Sequence, residues 1–139
     1  MEPQSILWPS FAMVAITVVV WVVLYVHRIG EMMRKRIDAQ RLDSAAAAAA
    51  LLDDRRASDN FRNLFELPVL FHVGVLVAFV TREVDAIALG LAWAFVVLRG
   101  AHSLVHCSYN RVMHRFIVYV LSTLVLFAFW GQLAWALCR

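Results

Sequence analysis

The sequence predicts an all-α fold, a bundle of four helices that crosses a membrane, and three observations carry that expectation. Of 139 residues, 63% are hydrophobic and 17% charged, whereas soluble domains run nearer half apolar and a quarter charged. The apolar residues gather in four runs, each near the roughly 20 residues that a helix needs to span a bilayer. Within those runs apolar and polar residues do not alternate, as the strands of a membrane barrel would. A helix is then the element that satisfies its own backbone in lipid. The length fits a single domain over residues 1–139.

The first helix is expected over about residues 6–27. Its centre, Val18 to Leu24, carries no charge. Trp8 and Tyr25 stand near its two ends, where interfacial aromatics gather. Pro9 falls in the first turns, where a missing N–H is least costly. Glu2 is the only charge ahead of this run, so it lacks the basic lead of a secretion signal and reads as a retained helix. Between Arg28 and Arg62 eight basic and six acidic residues crowd together, and Ala45 to Ala50 is a run of six alanines. Alanine is the best helix former, so the first helix is expected to continue beyond the membrane. A turn near Asp53 to Arg56 and Ser58-Asp59 then returns the chain. The second helix is expected over 61–80, the third over 86–106 after the polar turn Thr81 to Asp85, and the fourth over 115–137.

Charge sets the expected orientation. The connection between helices 1 and 2 holds eight basic residues, and Arg111 and Arg115 follow helix 3. The other side offers Arg82 and Arg139. The positive-inside rule places both basic connections in the cytoplasm. The net charge of +3 reflects this topology and is no nucleic-acid signature. Cys107 and Cys138 fall at opposite ends of helix 4 in this reading, about 30 Å apart at 1.5 Å per residue, too far to pair within one subunit.

Three polar groups remain to be explained, since a charge at the bilayer centre costs about 2.5–3.5 kcal/mol. The first is Arg62-Asn63-Leu64-Phe65-Glu66-Leu67-Pro68, opening helix 2, where Asn63 and Glu66 share a helical face and Glu66 suits the positive end of the helix dipole. The second is the stripe Arg99, His102 and His106 closing helix 3. Because helices 2 and 3 run antiparallel, Arg99 is expected to pair with Glu66. The third is Tyr109 to Arg115, where Arg115 stands at a helix N-terminus and opposes the dipole. Each group has a purely structural explanation: a cap, an ion pair, or an arginine that sets topology or reaches to lipid phosphate. Their common depth instead makes an arginine-rich pocket suited to a small anion with several carboxylates, beside apolar walls suited to a lipid-soluble molecule. His102 and His106, at i and i+4, also have metal-ligand spacing, but no second carboxylate–histidine pair completes a di-iron pattern, and no metal is expected.

The order of these motifs, N-x-x-E opening helix 2 with a proline behind it, R-x-x-H closing helix 3 and an arginine sixteen residues after Arg99, resembles the MAPEG superfamily, the membrane-associated proteins of eicosanoid and glutathione metabolism, in a bacterial form. The resemblance spans about Ile6 to Leu137. It implies a homotrimer in membrane lipid, with glutathione as co-substrate bound between subunits near the cytoplasmic side. Carried over, Arg115 is the catalytic residue that stabilises the glutathione thiolate. Arg62, Asn63, Glu66, Arg99, His102, His106, Tyr109 and Arg28 are candidates for holding glutathione. His106 stands where the family's catalytic members carry tyrosine. The implied activity is a glutathione transferase or peroxidase acting on lipophilic electrophiles or lipid hydroperoxides. The alternative is a non-catalytic membrane protein that binds lipid or ligand on the same scaffold.

Overall fold

The computed structural model describes residues 2–138, whose regular elements are all helices with no strand among them. A 3-10 turn, Pro3–Ile6, leads into α1 (Leu7–Lys35). A second 3-10 turn, Ala39–Leu42, precedes α2 (Ala45–Leu51) and α3 (Arg56–Asn63), followed by α4 (Leu67–Thr81), α5 (Ala86–Cys107) and α6 (Val112–Cys138). Four stretches are long and apolar enough to cross a membrane: Pro3–Lys35, Arg56–Thr81, Ala86–Cys107 and Val112–Cys138.

Two of the expected elements are built differently. The first helix runs past His27 but stops at Lys35, where Arg36 adopts a left-handed conformation with φ 52°. The alanine run is a separate short helix, capped by Ser44, whose hydroxyl accepts from the Ala47 amide. The expected continuous helix over 61–80 is two helices, and Ser58-Asp59 lies inside α3 rather than in a turn. Pro68 explains the interruption. A proline inside a helix removes a donor and drives its ring against the carbonyl four residues back, here that of Leu64. The chain escapes at Glu66, with φ −99° and ψ −102°, through tight bonds from Phe65 N to Arg62 O (3.0 Å) and from Glu66 N to Asn63 O (3.4 Å). The last helix begins three residues before the expected 115, at Val112.

The core is aromatic and small. Phe71 of α4 stacks on Phe95 of α5 with centroids 4.6 Å apart and approaches Phe129 of α6 at 6.1 Å. Met13, Val20, Leu126 and Leu133 close around them. Gly74 lets α4 approach α6: a Cβ there would lie 2.8 Å from Phe129 Cε1 and 3.3 Å from Trp130 Cε2. Outside the core, large apolar side chains are exposed on every span, among them Phe11, Val18, Leu76, Val97, Leu124 and Phe127. Soluble monomers do not expose apolar surface on this scale; lipid accepts it. At the far end Asp85 caps α5 through the Ala88 amide (2.7 Å) and receives Gln132 Nε2 from α6 (2.7 Å).

At the basic end the connection is sewn onto α1. Buried Glu31 accepts from the amides of Asp53 (2.7 Å) and Asp54 (3.4 Å). Lys35 reaches Glu31 at 2.7 Å and Asp53 at 2.9 Å. Arg56 grips the Asp54 carboxylate with Nε at 3.0 Å and Nη2 at 2.8 Å, and its Nη1 donates to Ser108 O at 2.6 Å. His27 lies 3.2 Å from Asp54 on the other side. The first connection is thereby tied to the turn that joins α5 and α6.

Two outcomes follow. Gly74→Ala overpacks the α4–α6 contact and costs about 1–3 kcal/mol, read as a lower unfolding temperature in detergent. Gly90→Ala and Gly131→Ala, where an added Cβ meets nothing within 4 Å, leave that temperature nearly unchanged. The Arg56 guanidinium holds the Asp54 carboxyl well below its ordinary 3.8, against the opposing effect of burial. A depressed carboxyl contributes stability above its unfolded pKa and loses it as pH falls below that value. Protection of the amides at residues 53–56, relative to their intrinsic exchange at the same pH, therefore falls only below about pH 4, and Asp54→Asn removes that acid-dependent step.

Candidate functional site

The α5 stripe and the first turns of α6 make one polar cluster. Arg99, His102 and His106 recur at i, i+3 and i+7 and so share a face. They are 0%, 2% and 2% exposed. Arg115 and Tyr119 stand one turn apart on α6 and meet that face. Arg115 Nη1 lies 3.0 Å from His106 Nε2 and donates to Asn110 Oδ1 at 2.9 Å. His102 Nδ1 lies 3.2 Å from the Arg115 carbonyl. The Tyr119 ring centroid is 5.8 Å from Arg99 Cζ, within cation–π range, and 5.9 Å from the His102 ring.

The second span contributes a backbone group. The break before Pro68 takes the Asn63 carbonyl out of a continuous helical ladder, and Arg99 Nη2 donates to it at 2.9 Å. Neighbouring helices commonly satisfy backbone freed by a proline in this way. The expected Arg99–Glu66 ion pair is not formed: none of the described ion pairs includes Arg99, Arg62 or Arg115. Glu66 is exposed at the break, and the break removes the shared helical face expected for Asn63 and Glu66.

Hydrogen-bond chemistry assigns the histidine tautomers. A carbonyl only accepts, so His102 carries its proton on Nδ1. An arginine only donates, so His106 Nε2 carries a lone pair and its proton sits on Nδ1. Within this cluster the atoms left buried without a partner are then His102 Nε2, an acceptor, and a set of donors: His106 Nδ1, Arg99 Nε and Arg99 Nη1. Each such group costs about 1–3 kcal/mol, more when charged. The chemistry of this set fits an anion that also offers one donor.

The other candidate residues lie apart from this cluster. Tyr109 is 58% exposed and its hydroxyl meets His114 at 3.2 Å. Arg28 and Arg62 line a hollow with the alanines of α2, where Arg28 Nε is buried without a partner. Among the described residues no group of three or more metal-ligating side chains gathers. Three participants went unnoticed in the sequence. Asn110 takes a left-handed conformation, φ 48°, which asparagine tolerates better than most residues, and its amide closes α5 on Val105 O at 2.9 Å. Asn60, fully buried, donates to Cys107 Sγ at 3.4 Å and accepts from Ser103 Oγ at 3.4 Å. Tyr119, one turn beyond Arg115, was not singled out.

Beside the polar stripe, α5 turns a second face to α1. Gly100 and Leu104 oppose Ile16, Val19 and Val20 across an apolar groove of about 570 Å³, and Ser103 and Cys107 also line it. Both cysteines are free thiols.

No curated protein and no solved structure matches the chain. The model of the MAPEG family matches residues 6–135, nearly its whole length. Four apolar spans and that match together make this an integral membrane protein, and the chain belongs to the MAPEG family.

Proposed function

We propose that the protein is a glutathione-dependent transferase or peroxidase that takes its second substrate from the lipid phase. The observation that supports this most is the cluster of buried, unpartnered donors on Arg99 and His106 beside Arg115, with no carboxylate paired to either arginine among the described residues. Arginine suits carboxylates through its planar fork of donors, and glutathione brings two carboxylates, amide donors and a thiol. Arg99 and His106 hold carboxylate or carbonyl oxygens in this reading, and His102 Nε2 accepts from an amide or ammonium. Exposed Glu66, Arg62, Tyr109 and half-buried Arg28 complete the site from a neighbouring subunit of a homotrimer. The basic end faces the cytoplasm, where glutathione is dissolved.

A free thiol has a pKa of about 8.5 and is mostly protonated at neutral pH. A cation beside the sulfur favours the thiolate, and Arg115 supplies it, with Nε and Nη2 left over from its protein contacts and the α6 N-terminus adding to the field. The thiolate forms a thioether with a lipophilic electrophile, either displacing a leaving group as its anion or adding across an activated double bond whose other carbon then takes a proton from water. Alternatively, two glutathione thiols reduce a lipid hydroperoxide to its alcohol and water and become a disulfide. The α1–α5 groove gives the lipophilic molecule a dry path along the bundle. That groove also favours a second reading, a lipid-binding protein without chemistry, in which the polar cluster holds a lipid headgroup.

The test is the ultraviolet difference spectrum of glutathione bound to the purified protein in detergent near neutral pH. Wild type is expected to show a thiolate band. Arg115→Leu is expected to lower it about tenfold or more, the equivalent of one pKa unit, while helical content stays unchanged. A thiolate band undiminished in Arg115→Leu contradicts the assignment of that arginine, and saturable lipid binding without glutathione binding favours the second reading.

A further inference from the structure

We infer that His106 and Asn110 are positioning residues that clamp Arg115 through a single guanidinium nitrogen, so that its remaining N–H groups face the bound thiol as a fixed fork. The inference rests on the function proposed above and assigns a role within that same site. Nη1 of a guanidinium has two hydrogens. One meets His106 Nε2 at 3.0 Å and the other Asn110 Oδ1 at 2.9 Å, so that nitrogen is saturated. Two bonds in the plane of one terminal nitrogen fix the plane of the whole group. Nε and Nη2 meet no protein acceptor among the described residues and are absent from its buried, unpartnered atoms. They supply three N–H donors on the side away from the clamp.

Each clamp residue is itself fixed. His106 is 2% exposed and packs edge-on to His102, with ring planes 88° apart. Asn110 is held by the left-handed turn that ends α5, its φ of 48° stabilised by the bond from its amide to Val105 O. The same turn is tied to the first connection through Arg56 and Ser108 O. The arginine is therefore positioned by the end of α5 and by the turn that follows it rather than by an acid.

The clamp requires a neutral His106. Protonation on Nε2 would set donor against donor and cation against cation at 3.0 Å. The charged and titratable groups facing His106 are Arg99 and His102 on its own helix, Arg115 on α6 and Asp59 on α3. Arg99 and Arg115 are cations, the His102 ring is neutral in the tautomer assigned above, and Asp59 is the one acid among the four.

Two measurements test the clamp, and the first needs no ligand. In nitrogen-15 spectra of histidine-labelled protein at neutral pH, His106 Nε2 is expected to resonate as an unprotonated nitrogen, and its signal to move in Arg115→Leu. A ring protonated on Nε2, or one indifferent to Arg115→Leu, overturns the clamp. The second is glutathione affinity and thiolate yield in variants. Asn110→Gly keeps the left-handed turn and deletes the acceptor, and His106→Leu deletes the other. Each is expected to lower the thiolate yield about tenfold, as the loss of a hydrogen bond to a charged group does. His106→Gln retains an acceptor for Nη1 but not the Nδ1 donor, so glutathione affinity is expected to fall while the thiolate yield per bound glutathione recovers most of what His106→Leu loses. Unchanged thiolate in both Asn110→Gly and His106→Leu overturns the proposal even where glutathione still binds. If wild type takes up no glutathione, the function proposed above fails, and the nitrogen spectrum alone decides the clamp.

Discussion

Arg99 is fully buried in a helix that crosses the membrane, and much of the structure follows from keeping it there. An unpaired charge at such a place is costly on any scale. Its neighbours lower that cost without an acid: the Asn63 carbonyl accepts one N–H and the Tyr119 ring lies beside the cation. The carbonyl is available because Pro68 interrupts the second span. The ring is available because α6 packs along α5 from its first turns. A proline break, a helix contact and a buried arginine thus depend on one another, and two of the arginine's nitrogens still lack partners. A site that satisfied Arg99 with a carboxylate would have no remaining field to offer an anion.

The fold separates two chemistries around one helix. One face of α5 carries Arg99, His102 and His106 toward α6 and the second span. The neighbouring face carries Gly100, Leu104 and Cys107 toward α1 across an apolar groove. A water-soluble anion and a lipid-soluble molecule can therefore approach the same helix from different sides. The ion-paired connection between α1 and α3 holds the basic end together, and through Arg56 it reaches the turn on which Asn110 stands.

The architecture was legible because apolar length is a direct consequence of bilayer thickness. All four spans fell where the hydrophobic runs lie, and the α5 stripe was readable from i, i+3, i+7 spacing alone. The errors have local causes. The second span was read as unbroken because Pro68 was placed near a helix start, where proline is tolerated; in fact it follows a helix that has already begun at Arg56. The Arg99–Glu66 pair was expected from the antiparallel run of helices 2 and 3, whereas the break leaves Glu66 exposed and gives Arg99 the Asn63 carbonyl instead. Asn110 escaped notice because a left-handed turn residue has no hydropathy signal. Asn60 escaped because a buried asparagine inside a charged stretch looks like its exposed neighbours. Arg28, Arg62 and Tyr109 lie apart from the cluster within one subunit, a separation that their places along the chain did not reveal.

The central claim is that buried donors on α5 hold the carboxylates of glutathione. It is tested most directly by calorimetric titration of the wild-type protein in detergent with glutathione and with its diethyl ester, which keeps the thiol and masks both carboxylates. The account predicts saturable binding of glutathione and little or none of the ester. Equal binding of the two, or binding of neither, contradicts it.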